Sequence, residues 1–574
     1  MHLFPVYLFL LFILQRAEPD EHNHQYSNGD RVVMWYQNFF PENNQLETYR
    51  IEDFSFCRGT HFMPEHPHSG FLYALQGLSF DQSGLLIEYG VNTPKSEYCQ
   101  KEITPFDVVV MSHAIRQKTL FEIYVDGLKA IGSICDFYSN KYEIYTNLRL
   151  IIHKNKDRIV KLELEQDSPS EFFNHPLLNF TYEVVWKNSL IEFENRLINT
   201  ENSTHNFYVR LVSLFNSMAM MIILMCIALW ILMRTLRYDI MRYNKSSNED
   251  QDFNDQYGWK LLHRDVHRKP PHFQLLLALV GTGFQLFMTV ITTALISLFF
   301  RVLYEIPRVI NIGLYMYTTF SPLSAFLSSA LYKKYGGTRP YRHILLHILL
   351  FPTILMVLTI LVSLHARSLN INRYLDFTSF VYVILGFIVV IFPLSFLGFG
   401  TSRVLIVSER IGPDISEIPG PIPRRKWYLN FWPLAFFSGI LPFGAFAVEM
   451  YFVLSSFWQI RVTLFFEFAI VCMFIMLGIS VSANIISIYV FLNAEDYRWH
   501  WLSFTNGFTV GIYFILYTIF YHMNFTKISG QFQLGFYYSY SILMSISIGM
   551  ICGAFNYVSS CLFIDRLYQS VKSD

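Results

Sequence analysis

Two carboxylates lie inside long apolar stretches, where an ionisable group is costly and often functional. Glu449 follows Pro442 and Gly444 in one apolar run, and Glu467 lies in the next run. Charged side chains at membrane depth usually face protein or water, where they can carry a proton or bind a polar partner. A structural carboxylate bonded to a neighbouring helix is the alternative. Glu449 and Glu467 are therefore the candidate buried polar residues.

A second charged group lies in the segment Val571-Lys572-Ser573-Asp574. The ammonium of Lys572 and the two carboxylates of Asp574 fall within three residues. A protein partner could bind both through charge-assisted hydrogen bonds. On these residues alone, an ordinary solvated tail is the simpler interpretation.

The sequence also offers sites for covalent modification. Cys57, Cys99 and Cys135 fall before the first apolar stretch, and they allow one disulfide with one cysteine left over. The residues do not indicate which pair forms. The candidate glycosylation sites, which carry the Asn-x-Ser/Thr pattern, are Asn179, Asn202 and Asn524.

Enzyme motifs are missing from the sequence. There is no nucleophile elbow, phosphate loop, metalloprotease helix or pair of catalytic carboxylates, and no His/Cys spacing suggests zinc. We therefore expect no enzyme activity, no metal and no cofactor. The formal net charge is zero, so nothing indicates nucleic acid as a partner.

The elements that must position these residues are mostly membrane-spanning helices. Hydrophobic residues make up 52% of the chain and charged residues 15%, against about 25% charged in soluble domains. A hydrocarbon core about 30 Å thick needs about 20 apolar helical residues to cross it. Nine segments of the region 211–563 qualify, with boundaries near 212–233, 273–300, 308–332, 343–364, 376–400, 430–456, 463–491, 501–521 and 535–563.

Residues 1–17 resemble a signal peptide, because an apolar run from Leu3 to Leu14 is too short to span and precedes Ala17. A short signal anchor is the alternative. Residues 18–210 would then form a lumenal domain. Lys and Arg residues number 20 in the loops assigned to the cytosol and 5 in the lumenal loops, as the positive-inside rule expects. The tail 564–574 is therefore predicted to be cytosolic.

The lumenal region predicts a mostly antiparallel β-sandwich. Arg31–Tyr36, Phe106–Met111, Phe121–Val125, Leu148–His153 and Tyr182–Trp186 have the β-branched and aromatic content of strands. Asp126-Gly127 has the composition of a turn. The fold class is thus a nine-helix polytopic membrane protein with an N-terminal, mainly-β lumenal domain.

Short segments spread over nearly the whole mature chain resemble the nonaspanins, the transmembrane nine superfamily, and most closely its member-three type. They are Glu47-Thr48-Tyr49, Phe56-Cys57, Met233-Arg234-Thr235, Tyr257-Gly258-Trp259-Lys260, Asp265-Val266, Gly439 to Gly444, Glu449 to Phe452 and Leu492 to Trp499. His267 departs from the family pattern, which has Phe there. The loop before the sixth span keeps Ile418 to Pro423 but diverges over Asp414 to Glu417.

The resemblance implies a function. It implies a Golgi and endosomal glycoprotein that assists the trafficking and localisation of other membrane proteins. It also implies that Lys572 and Asp574 form a retention signal read by the coatomer coat, so that coatomer and client membrane proteins are the expected partners. A small-solute or ion transporter that uses Glu449 is the alternative.

Two further stretches have open interpretations. Trp259-Lys260 and the residues from His263 to Lys269 form a basic-aromatic segment, which could contact anionic headgroups or pack on the helix bundle. Gly281-Thr282-Gly283 in the second span predicts a close approach of another helix.

Overall fold

The computed structural model divides the chain into two compact units. One comprises residues 1–203, 363–379 and 528–533, and the other comprises 204–362, 380–527 and 534–574. The structure describes residues 24–41, 49, 51, 56–62, 81–138, 141–166, 170–171, 177–193, 196, 258–299, 306–369, 371, 375, 377–405, 418–458, 465–526, 528, 530–569 and part of 212–241. The predicted signal peptide lies outside these residues.

The first unit is mainly β. Its strands are β1 Arg31–Val32, β2 Met34–Pro41, β3 Asp81–Gln82, β4 Ile87–Glu88, β5 Thr93–Glu102, β6 Thr119–Val125, β7 Leu128–Ser133, β8 Cys135–Tyr138, β9 Lys141–Ile144, β10 Asn147–Asn155, β11 Arg158–Glu165, β12 Ser170–Glu171 and β13 Leu177–Asn188. The two larger sheets have the orders β3-β2-β6-β7 and β11-β10-β13-β5. Only the β10–β13 pair is parallel among the described strands.

Both larger sheets contribute to one apolar core, as a sandwich requires. Phe56 lies between them, with its ring centroid 6.1 Å from that of Phe121 on β6 and 5.3 Å from that of Phe180 on β13. All three side chains are buried. The prediction of a mainly-β N-terminal region is confirmed.

The predicted strand over Phe106–Met111 is wrong, because those residues belong to helix α1, Pro105–Arg116. Thr104 caps this helix and accepts a hydrogen bond from the Asp107 amide, while the Asp107 carboxylate accepts one from the Thr104 amide. Pro105 occupies the first turn, where no backbone N–H is needed. These local start signals outweigh the β-branched content of the valines that follow.

The turn between β6 and β7 holds a buried ion pair. Asp126 and Gly127 both have positive φ, as predicted for a tight hairpin turn. Asp126 accepts a hydrogen bond of 2.8 Å from Arg196, and both side chains are at most 2% exposed. The same guanidinium donates to the carbonyl oxygen of Ile159 and lies 4.2 Å from the ring centroid of Phe193. One arginine therefore ties the hairpin to the end of the β domain.

The second unit is built from long helices. They are α2 Phe273–Phe299, α3 Ile306–Lys334, α4 Pro340–Ser368, α5 Phe377–Leu405, α6 Phe431–Trp458, α7 Phe465–Asn493, α8 Trp499–Phe525 and α9 Gln531–Gln569. The end of α4 and the starts of α5 and α9 belong to the first unit. The described residues between 212 and 241 are also helical, and we call them the first-span helix.

Helices thus occur at the positions of all nine expected spans. Among the described residues, six helices have the length and apolar composition to cross a membrane: α2, α4, α5, α8, α9 and the Ile470–Asn493 part of α7. The molecule is a multi-pass membrane protein, and a crossing by each of nine helices remains a prediction. Pro442 lies inside helix α6, which continues on both sides of it.

Helix α5 differs from its neighbours. It contains a π-helical turn at Phe387–Ile391, and none of these five residues is buried. Only 6% of its apolar window is buried, whereas half or more is buried in α2, α8 and α9. Helix α5 therefore has little of its surface inside the protein.

We expect Asp126→Asn to destabilise the β domain. Asn tolerates positive φ, so the turn should persist, but the charge of Arg196 would stay buried without its counter-ion, a loss of about 3 kcal/mol. The loss of stability would be measured by heating the purified protein and monitoring the temperature at which a protease begins to cleave within residues 24–196. Glu165→Gln breaks the exposed pair with Arg149 and should change stability by less than about 1 kcal/mol. Equal effects of the two substitutions would contradict this account.

Candidate functional site

Segments that are far apart in the sequence meet at one end of the helical unit. The 3₁₀ helix Gly258–Leu262 and the turn after it pack against the N-terminus of α8 and the C-terminus of α9. The Trp499 indole donates to the Val266 carbonyl oxygen at 2.9 Å, and the Tyr568 hydroxyl donates to the Trp259 carbonyl oxygen at 2.6 Å. We call residues 258–268, 418–425, 493–499 and 568 the motif cluster. The basic-aromatic segment therefore packs on the bundle through Trp259 and Val266.

Two buried carboxylates hold the loop 418–425 in the motif cluster. Asp265 accepts hydrogen bonds from the Arg268 guanidinium at 2.7 Å and from the Gly420 amide at 3.1 Å. Asp496, which is fully buried, accepts from Arg425 at 2.5 Å and from Arg498 at 3.1 Å. A buried carboxylate is tolerated when charged donors surround it. The loop is thus held at Gly420 by a backbone hydrogen bond and at Arg425 by an ion pair.

Three further side chains of the motif cluster have a charge state or a hydrogen bond set by their neighbours. The hydrogen bond from Arg498 to Asp496 raises the pKa of Arg498, so this arginine stays charged. Glu495 accepts a hydrogen bond of 3.2 Å from the Gly258 amide. Burial lowers the pKa of His267 and favours its neutral form. A neutral imidazole is an uncharged aromatic ring, as is the Phe side chain that the family resemblance implies at this position.

The polar groups of the motif cluster hold segments of the chain together. Its carboxylates are all occupied by guanidinium or backbone donors, and no group of three His, Cys, Asp or Glu side chains among the described residues could bind a metal ion. What the arrangement does is fix the end of α9 against the segment 258–268 and the loop 418–425.

A second polar group lies inside the membrane helices and was missed from the sequence. Asn484 of α7 donates to the Asn556 carbonyl oxygen at 3.0 Å and to the Ser560 hydroxyl at 2.7 Å, both on α9. Asn506 of α8 donates to the Asn484 side-chain oxygen at 2.9 Å. All are fully buried or nearly so. We call Asn484, Ser503, Asn506, Asn556 and Ser560 the asparagine network.

Close helix packing makes this network possible. Gly507 and Gly511 of α8 face Gly549 and Gly553 of α9, and each pair has the Gly-x-x-x-Gly spacing. A Cβ atom on Gly507 would lie 2.4 Å from the Cys552 backbone, so a larger residue would push the helices apart. The two Gly-x-x-x-Gly repeats are the sequence signal that could have located this interface.

A third polar group joins α2, α3 and α4. His347 accepts or donates a hydrogen bond with Ser324 at 3.2 Å, and His343 does so with Ser328 at 2.9 Å. A Cβ atom on Gly281 would lie 2.7 Å from Ser328 and 2.9 Å from the His347 ring. The predicted close approach at Gly281 to Gly283 is confirmed.

The predicted site residues are not gathered in one place. The backbones of Glu449 and Glu467 lie in α6 and α7, but their side chains are outside the described residues, as are Asn202, Lys572 and Asp574. Asn179 is exposed on β13, and the exposed Asn524 donates to the Phe520 carbonyl oxygen. Their glycosylation, the topology it would report and the transporter alternative remain predictions.

The structure pairs two of the three cysteines that precede the first apolar stretch. Cys57 and Cys99 form a disulfide, which joins the segment after residue 55 to β5. Cys135 lies in β8, and its side chain is outside the described residues. The pairing could not be chosen from the sequence, because it depends on which strands become neighbours.

Together the fold and these clusters define a multi-pass α-helical membrane protein with an N-terminal, mainly-β domain. The sequence model of the family described as Endomembrane protein 70 matches residues 48–531. The chain belongs to this family, and several curated relatives of the chain carry the name transmembrane 9 superfamily.

The similarity to these relatives covers nearly the full length of both chains. The chain is 26% identical to transmembrane 9 superfamily member 4 of Arabidopsis thaliana, over 99% of this chain and 98% of that protein. It is 26% identical to member 3 of the same plant, over 97% and 96%, and 28% identical to member 1 of Bos taurus, over 99% and 97%. These values do not single out the member-three type. No solved structure matches the chain.

We expect Asp496→Asn to release the loop 418–425 from the motif cluster. Arg425 would keep its buried position without a counter-charge, at a loss of about 3 kcal/mol. Hydrogen exchange at the amides of residues 420–426 should become faster, and the unfolding temperature should fall. Asp565→Asn is the control, because Asp565 forms no hydrogen bond or ion pair with a described residue. Unchanged exchange in Asp496→Asn would show that the carboxylate does not anchor the loop.

Proposed function

We propose that this protein is a non-enzymatic membrane protein of the Golgi and endosomes. It assists the trafficking and localisation of other membrane proteins, and coatomer retains it through Lys572 and Asp574. The observation that carries this proposal is the anchoring of α9 at the motif cluster by Tyr568. Membership of the Endomembrane protein 70 family supports it.

The anchor limits how far the proposed signal can extend. Lys572 and Asp574 follow Tyr568 by four and six residues. Because an extended chain spans at most about 3.5 Å per residue, Asp574 lies within about 20 Å of the Tyr568 backbone. A coat protein that binds this signal would therefore work next to the motif cluster.

The tail carries the charges that such a coat would recognise. The ammonium of Lys572 and the carboxylate of Asp574 can each form charge-assisted hydrogen bonds with a coat protein. The cytosolic position of the tail, which coat binding requires, is part of the proposal and is supported by the excess of Lys and Arg in the same set of loops.

The proposed client-binding surface is helix α5. Its exposed apolar side chains include Leu385 and Ile388, each close to 60% exposed. The wide π turn changes the side-chain direction at this point, and such turns are frequent at functional sites. A Cβ atom on Gly386 would meet no atom within 4 Å, so another helix could approach the backbone there. The β domain would contact the lumenal part of the same client.

We expect the double substitution of Lys572 and Asp574 by Ser to release the protein from the Golgi. Fluorescence microscopy and surface biotinylation in cells would measure its redistribution toward endosomes and the cell surface. Asp574→Glu is the matched control, because the resemblance implies that either acidic residue is read. An unchanged distribution of the double-Ser variant would refute coatomer retention through these residues.

We expect a photo-crosslinker at Leu385 or Ile388 to capture other membrane proteins in cells. The same crosslinker at Val357 or Leu361 of α4, which are equally exposed, should capture far fewer. Proteins captured from α5 should leave the cell surface when this protein is depleted. Equal capture from both helices, or captured proteins that keep their location, would refute client binding at α5.

A further inference from the structure

An open groove lies between the first-span helix and α7. It has a volume of about 950 Å³, and its walls include Trp230, Arg234 and Arg237 on the first-span helix and Ile486, Tyr489 and Val490 on α7. Ligand pockets typically have about 300–1,000 Å³, so the groove is large enough for a substantial ligand. We call it the α7 groove.

The two helices touch at one end of the groove and separate toward the other. The Met225 sulfur lies 3.2 Å from the position that a Cβ atom on Gly478 would occupy. The groove begins about one turn beyond Met225 on the first-span helix, at Leu229, and about two turns beyond Gly478 on α7. This contact lies beyond one end of the groove, and the opposite end carries the charges.

The groove lies at the edge of one membrane leaflet, because its lining begins at Leu229 and the predicted first span ends near residue 233. Its lining runs from Leu229 to Met241 on the first-span helix, a rise of about 18 Å at 1.5 Å per residue. The hydrocarbon core is about 30 Å thick, so one leaflet contributes about 15 Å. A helix that crosses the membrane would find a wall for only part of its length, whereas a lipid of that leaflet would place its headgroup and the adjoining part of its chains in the groove.

The charges of the lining are all positive. Arg234 and Arg237 lie at the end away from Met225, and no Asp or Glu is among the described residues that line the groove. The Arg234 guanidinium lies 5.5 Å from the Trp230 ring centroid, which directs it along the groove wall. Guanidinium groups bind phosphate through paired hydrogen bonds. The deeper lining is apolar and suits acyl chains.

We propose that the α7 groove binds a glycerophospholipid with an anionic headgroup. Arg234 and Arg237 hold the headgroup phosphate and carboxylate, while the acyl chains lie against Trp230, Ile486 and Val490. The topology that we infer places this end in the cytosolic leaflet, where anionic lipids are concentrated. Tyr489 also belongs to the apolar core of the motif cluster, so a bound lipid would contact the same helix turn that supports the cluster.

Native mass spectrometry of the full-length protein tests this proposal. The protein in detergent is titrated with dioleoylphosphatidylserine or with dioleoylphosphatidylcholine, which has the same chains and no net charge. We expect several-fold preferential retention of phosphatidylserine by the wild type. The double substitution R234Q/R237Q should reduce this preference about tenfold. Arg566→Gln is the matched control. It removes an exposed cation from the last turn of α9 and should leave the preference for phosphatidylserine unchanged.

A steric variant separates the acyl-chain site from the charges. Val490→Trp should fill the groove and reduce retention of both lipids, and Ile486→Phe is the second choice if the first variant shows a lowered unfolding temperature. Soluble glycerophosphoserine should not displace the lipid, because it lacks the chains. Equal retention of the two lipids by the wild type, or an unchanged preference for phosphatidylserine in R234Q/R237Q, would overturn the proposal. A photo-crosslinker at Val490 that captures a protein helix and no lipid would overturn it as well.

Discussion

The absence of water from the hydrocarbon core is the constraint on which the membrane unit depends. A polar group buried there must be satisfied by another part of the protein. Asn484 meets this requirement by bonding to α9 and accepting from Asn506 of α8, so one amide joins three helices. These bonds form only at short helix separation, which Gly507 and Gly511 permit. The polar residues and the glycines are thus two parts of one interface.

The motif cluster depends on this interface. Trp499 stands at the start of α8 and Tyr568 near the end of α9, so their positions follow from how those two helices pack. The loop 418–425 contributes Pro419, Pro421 and Pro423, which have no backbone N–H to donate. Its attachment therefore rests on side chains and on the Gly420 amide. Asp265 and Asp496 supply the acceptors, which explains why two carboxylates are buried at this end of the bundle.

Much of the architecture could be predicted from the sequence, because apolar length and strand composition are local properties. Segments such as 343–364 and 501–521 correspond to helices, and Leu148–His153 corresponds to a strand. The strand prediction for Phe106–Met111 was wrong, because the capping box of Thr104 and Asp107 starts a helix there despite the β-branched residues. The partners of Asp496 and Asn484, and the pairing of Cys57 with Cys99, depend on which distant segments become neighbours. Single-residue patterns do not contain that information.

The distribution of polar bonds also divides the membrane unit into a fixed core and a freer periphery. Helices α7, α8 and α9 share the asparagine network, whereas α5 and the first-span helix expose most of their described surface. Elements with few buried contacts open at low free energy, so they can adapt to a ligand without disturbing the rest. A bound lipid or client helix at the periphery would leave the asparagine network intact. It could still be sensed at the motif cluster, because Tyr489 lines the groove on α7, which also carries Asn484 and ends at Asn493.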